Sequence, residues 1–256
     1  MLPEQLIRET KKKVEIKKVR ISKLMSEQGL ASRREADKYI QRGIVYANGQ
    51  QVTEVGTKVF PNTDIVIQRP IYEPSKITIL MNKPVGYVSG QPEKNYKPAI
   101  TLINPKSRST NHNNKRRFRR AHLVGLAVAG RLDIDSTGLL VFTQDGTLAK
   151  KLIGENTSVE KEYIVKFSGN LDELKIKKLN GDMSIDGFKL KPASVTWPYK
   201  NQLNFILKQG KKRQIRKMCE QVGIKVLTLH RRRIGRICLG TMPSGNWRYL
   251  NKNEEF

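Results

Sequence analysis

Residues 130–143 read Gly130-Arg131-Leu132-Asp133-Ile134-Asp135-Ser136-Thr137-Gly138-Leu139-Leu140-Val141-Phe142-Thr143. A polar turn bounded by glycine runs straight into an apolar stretch, the pattern of a buried strand entered from a tight loop. Asp133 is flanked by Leu132 and Ile134, which predicts partial desolvation and a need for a cationic partner. Taken alone, Asp133 and Asp135 read first as turn formers. Outward from this stretch, Ile77–Met81 is a second strand of buried type, and Tyr163–Phe167 and Leu203–Leu207 alternate. Helices are expected at 147–153 and 213–222. In the latter, Ile215, Met218, Cys219 and Val222 recur at i, i+3, i+4 and i+7 ahead of Gly223. Helices and strands interleave without a regular βαβ period, so the class is α+β with a mixed, largely antiparallel sheet flanked by helices over 77–256.

A smaller unit precedes it at 19–67. Leu24, Met25 and Gln28 form a short helix that stops at Gly29. Ser32-Arg33-Arg34-Glu35 has the form of a capping box, and Ala36, Tyr39 and Ile40 give the next helix its apolar face. Val45-Tyr46-Ala47 and Gln51-Val52-Thr53 flank the turn Asn48-Gly49, a strong hairpin signal. Residues 1–18 read as a flexible basic arm or a solvated helix, and 68–76 as a linker. Residues 104–120 carry lysines and arginines and no acid. They form an inserted loop that either contacts a polyanion or stays disordered.

Lys and Arg number 49 against 23 Asp and Glu, a net charge of +26. A soluble chain so charged suits nucleic acid as partner. Two cysteines make no disulfide framework, no stretch can span a membrane, and no signal peptide is expected. A cytoplasmic location fits. The three histidines lack metal-ligand spacing, and neither a phosphate loop nor a serine elbow is present. The cations cluster. Arg20, Lys23, Arg33, Arg34 and Arg42 suit one phosphate-binding face of the small unit, or a solvated basic helix. Lys212, Arg213, Arg216 and Lys217 crowd the start of the 213–222 helix, and His230-Arg231-Arg232-Arg233 is a run of the same kind.

Together these segments resemble the RsuA-like family of ribosomal RNA pseudouridine synthases, over about residues 19–250. The segments carrying the likeness are Arg20–Leu24 with Ser32–Ala36 and Val45–Gly49 (similar to an S4 domain), Asn82–Ser89, Gly130–Asp133 with Asp135–Leu140, Lys161-Glu162-Tyr163, Arg213–Met218, and Leu239-Gly240 with Gly245–Arg248. The resemblance implies an S4-like RNA-binding domain followed by a catalytic domain. It implies Asp133 as nucleophile, Tyr163 stacking on the target base, Arg216 paired with Asp133, and Arg131 and Leu239 beside the base. It also implies no metal, no cofactor, and a monomer acting on ribosomal RNA, with structured tRNA as a further partner. Val88–Glu93 looks most like the branch acting on large-subunit RNA, the RluF-type enzymes.

The chemistry agrees. Isomerising uridine breaks its glycosidic C–N bond, turns the base and joins carbon to carbon. One carboxylate that attacks sugar or base suffices, kept ionised by an adjacent Arg216. An aromatic face holds the uridine out of its stack, and a closed pocket retains the detached base. The competing readings are a non-catalytic S4-type ribosome assembly factor and a nuclease with Asp133 and Asp135 as a metal pair.

Overall fold

Ser32 caps the helix Arg33–Gln41 as its sequence predicts. Its Oγ accepts from Glu35 N at 3.3 Å, and the Glu35 carboxylate accepts in return from Ser32 N at 3.0 Å. That helix buries Ala36, Tyr39 and Ile40 against Ile21, Leu24 and Met25 of the helix Ile21–Glu27. Val45–Ala47 pairs with both Gln50–Val52 and Ile65–Ile67, giving the small unit a three-stranded sheet. Asn48 and Gly49 both take positive φ (47° and 80°), the turn whose twist suits a two-residue hairpin.

The computed structural model describes residues 17–68, 76–92, 95–110 and 116–256. The expected N-terminal arm and linker fall mostly outside the described residues. The chain separates into two compact units, dividing between residues 73 and 74.

The second unit is built on a mixed sheet of nine strands among the described residues. Its main path runs Ser194–Tyr199, Gln202–Leu207, Lys161–Ser168, Lys225–Ile234, Thr137–Thr143, Thr78–Lys83, Trp247–Tyr249. Every pairing in it is antiparallel except Thr137–Thr143 against Lys225–Ile234, whose parallel register sets Thr137 beside His230 and Gly138 beside Arg231. Met81, Leu140, Phe142 and Trp247 pack on one side of the central strands, while Leu80, Leu139, Val141 and Ile234 belong to a separate core cluster. The near-continuous apolar runs at 78–83 and 137–143 follow from burial on both faces. Helix Gln214–Gln221 buries Ile215, Met218 and Cys219, as its spacing predicts. Helix Glu173–Asn180 was not anticipated from the sequence, because only Leu179 in it is fully buried and its apolar period is faint.

The run His230–Arg233 is part of the ten-residue strand Lys225–Ile234, whose period of two splits its charges and leaves Arg232 exposed. Arg231 is 3% exposed. Arg233 is paired with Glu162 at 2.7 Å and Glu160 at 3.2 Å. The described part of the insertion 104–120 is anchored, with Trp247 Nε1 donating to Asn104 O at 2.9 Å, Ser109 N donating to Trp247 O at 2.8 Å, and Phe118 packed on the core.

Candidate active site

The loop 130–136 leads into the Thr137–Thr143 strand, and the segment Asn82–Ser89 beside it holds its backbone in place. Ser89 Oγ donates to Leu132 O at 2.7 Å and accepts from Leu132 N at 2.9 Å, and Gly86 N donates to Ile134 O at 3.0 Å. Lys83, 0% exposed, donates from Nζ to Ser136 O at 2.9 Å and to Pro84 O at 2.8 Å. From the neighbouring strand, Arg231 donates Nε to Leu139 O at 2.7 Å and Nη1 to Arg131 O at 3.4 Å. Its Nη2 is buried without a hydrogen-bond partner. Asp133 therefore rides on a loop tied down on both sides of it.

Asp133 itself is half-buried, and among the described residues its carboxylate makes no hydrogen bond or ion pair. The expected pairing with Arg216 is not formed. Arg216 Nη2 instead meets the Asp135 carboxylate at 3.1 Å and its carbonyl at 3.2 Å, and Arg213 reaches the same carboxylate at 3.3 Å. The cause is direction: Asp135 faces the helix Gln214–Gln221, which carries Arg216 in its first turn. Asp135 is thus more than a turn former, because it ties that helix to the loop.

Tyr163 is 8% exposed and sits in a cluster with Leu132, Val165 and Leu229, with the Arg231 Cζ 6.0 Å from its ring centroid. Arg131, which precedes Leu132 in sequence, is exposed at the surface. Leu239 is not brought to this cluster. It packs with Leu80, Leu139 and Ile234 in a separate one.

Burial and neighbouring charge shape the cations here. Lys83 is pushed down to about 8 by burial, opposed by the carboxylates of Asp135 and Asp133 and reinforced by Arg231. Lys161, at the head of the Tyr163 strand, is also pushed down to about 8, by burial first and then by Arg231 and Lys191. Sequence reasoning gave Lys83, Ser89 and Arg231 no individual role. The signal was present in Lys83 and Arg231, cations set inside apolar strands and destined for burial.

The other sites expected to hold RNA lie at the surface in part. Lys212 is exposed and Lys217 is paired with Asp186 at 2.5 Å. In the small unit Arg20, Arg33, Arg34 and Arg42 are exposed, and Lys23 is paired with Glu27 at 3.6 Å. Among the described residues no three His, Cys, Asp or Glu side chains group to hold a metal, and no helix is long and apolar enough to cross a membrane.

Residues 77–221 match the family model of RNA pseudouridylate synthases, and residues 19–65 match that of the S4 domain. The chain is 34% identical over 240 residues to the dual-specificity RNA pseudouridine synthase RluF of Escherichia coli, covering 92% of this chain and 77% of that one. It is 31% identical over 226 residues to a putative chloroplastic ribosomal large subunit pseudouridine synthase of Arabidopsis thaliana, covering 84% of this chain and 54% of that one. A solved pseudouridylate synthase superposes with a TM-score of 0.63 at 24% identity, covering 91% and 96% of the two chains, a likeness of fold.

Proposed function

Since the chain belongs to the RNA pseudouridylate synthase family, carries an S4 domain and is an RNA pseudouridine synthase, we propose that its substrate is ribosomal RNA of the large subunit and that Asp133 is its nucleophile. The observation that carries the assignment is the contrast within one loop. The backbone around Asp133 is held at the carbonyls of Arg131, Leu132 and Ser136, while the Asp133 carboxylate makes no hydrogen bond or ion pair among the described residues. Asp135, the other carboxylate, is held by two arginines. A preorganised loop with one unengaged carboxylate suits attack on a bound nucleotide.

The uridine leaves its stack and lies against the ring of Tyr163. The Asp133 carboxylate adds to the sugar or the ring, and the bond from C1′ to N1 breaks. The base turns, C5 joins C1′, the bond to Asp133 breaks and returns the free carboxylate, the C5 proton leaves and N1 gains one, so the atoms balance without a co-reactant. Arg216 and Arg213 act beside this step through Asp135, and the exposed Arg131 is placed to meet a phosphate. The large-subunit assignment draws on the chloroplast relative, and a second RNA substrate draws on the dual specificity named for the bacterial one. One chain carries every residue used here, which suits an enzyme acting as a monomer on its RNA in the cytoplasm.

The test is Asp133→Asn in a chelator-treated reaction on ribosomal RNA, with pseudouridine read by its specific chemical adduct. Conversion should vanish while RNA affinity stays within about threefold, since one charge changes on a strongly positive molecule. Asp135→Asn should retain turnover. Turnover by the Asp133 variant, or equal loss from both, would overturn the assignment.

A further inference from the structure

The anchored insertion presents arginines that the reaction at Asp133 does not use. Residues 104–120 hold seven lysines and arginines and no carboxylate. Burial alternates through its second half: Arg116 and Phe118 are partly buried, while Arg117 and Arg119 are exposed, as is Arg120. Phe118 supplies the fixed point, with its ring 5.5 Å from Trp247 and 6.4 Å from His122. The guanidinium carbons of Arg108 and Arg116 lie 5.3 and 5.9 Å from the centroid of one ring, Tyr249. His122 Nδ1 meets the Tyr249 hydroxyl at 2.7 Å. Among the described residues, Arg117, Arg119 and Arg120 make no side-chain hydrogen bond or ion pair. The folded chain thus fixes like charges side by side, and burial followed by Arg116 and Arg119 holds His122 below its ordinary value. Concentrating cations this way costs free energy in the free protein that a polyanion would return.

We propose that this arginine strap is a second RNA-gripping surface that binds phosphates flanking the target nucleotide and so contributes to choice of site. The proposal rests on RNA being the substrate. Position argues for flanking phosphates over the reacting base. Tyr249 pairs with Ile79, and Ile79 with Phe142, four residues along from Gly138 and two strands across. At about 3.3 Å per residue and about 4.8 Å per strand, the strap's footing is roughly 15 Å from where the Asp133 loop enters the sheet. That exceeds the reach of a single nucleotide. Guanidinium forks suit phosphate oxygens, and three exposed ones within four residues match a run of backbone phosphates.

The test uses the full chain with Arg117→Gln, Arg119→Gln and Arg120→Gln combined, against a control of equal charge loss elsewhere, Lys166→Gln on the strand Lys161–Ser168 with Lys200→Gln and Lys208→Gln just outside the strands Ser194–Tyr199 and Gln202–Leu207. Affinity for a structured ribosomal RNA fragment is measured across salt concentrations. Conversion is measured both on that fragment and on a short single-stranded oligonucleotide. The strap variant should lose about 0.9 in the slope of log K against log salt for each phosphate contact removed, close to 3 in all. It should lose selectivity among uridines of the fragment while its turnover of the oligonucleotide stays at the wild-type value. Equal slopes in strap and control variants would overturn the proposal. Loss of oligonucleotide turnover would also overturn it, by placing the strap at the chemistry. A wild-type protein that binds RNA but converts no uridine would sink the function proposed above, and the slopes would still judge the strap.

Discussion

Lys83 shows how one side chain links stability to chemistry. Buried among backbone carbonyls, it has been pushed down to about 8, with desolvation the main cause. Unfolded, it would keep its proton up to about 10.5. Between those values the unfolded chain binds the additional proton, so this residue's contribution to stability rises with pH. Activity should move the other way. As pH rises through about 8, Lys83 loses the charge coupled to Asp133 and Asp135 and weakens its hold on Ser136 O. We expect single-turnover rates to fall from pH 7.5 to 9.5 in the wild type, with an alkaline limb that Lys83→Arg lacks. Urea melts at the two pH values should show a gain in the wild type, relative to Lys83→Met, as pH rises. A rate flat with pH in the wild type would remove Lys83 from the mechanism.

Between elements, the narrowest tolerance is at Gly138. It opens the strand after the Asp133 loop with φ of 106°, and a Cβ there would lie 2.3 Å from Arg231 O and 2.7 Å from Arg231 N. The parallel pairing of Thr137–Thr143 with Lys225–Ile234 therefore depends on having no side chain at this position. Gly138→Ala should cost on the order of 3 kcal/mol from backbone strain and the forced separation of strands. It should lower turnover further at matched folded fraction, because Arg231 would no longer reach Arg131 O. Thermal melts together with activity per folded molecule check this. Wild-type stability in the variant would mean the strands part without cost. The splitting of the His230–Arg233 run belongs to this scale. A charge run and a strand with buried arginines have the same letters, and the alternation is visible only once Glu160 and Glu162 are known to lie alongside.

Across the whole molecule, the two units have separate cores: the clusters of the larger one contain no residue before Ile77, and those of the smaller none beyond Ile67. Removing residues 1–73 should leave a soluble catalytic unit that melts cooperatively. Its affinity for RNA should show a shallower salt dependence, since Arg20, Arg33, Arg34 and Arg42 no longer displace counterions. Slow conversion should persist at high RNA concentration, with Asp133, Tyr163 and Arg216 still in place. Aggregation of the truncated chain would show instead that the small unit stabilises the large one. Local code was legible in the sequence: the capping box at Ser32, the Asn48-Gly49 hairpin, the apolar strands on either side of Asp133 and the helix after Arg213 are short-range patterns set by propensity and periodicity. The motifs also placed Asp133 and Tyr163 in one domain. Tertiary structure alone decided which cation meets which carboxylate, because Arg216 and Asp135 lie 81 residues apart and their pairing depends on how a helix docks against a loop. It alone decided that Lys83 and Arg231 are buried supports, that Leu239 packs elsewhere, and that the insertion is anchored by Trp247 and Tyr249. Each of these is a contact between distant segments, and the packing that sets it exists only in the folded chain.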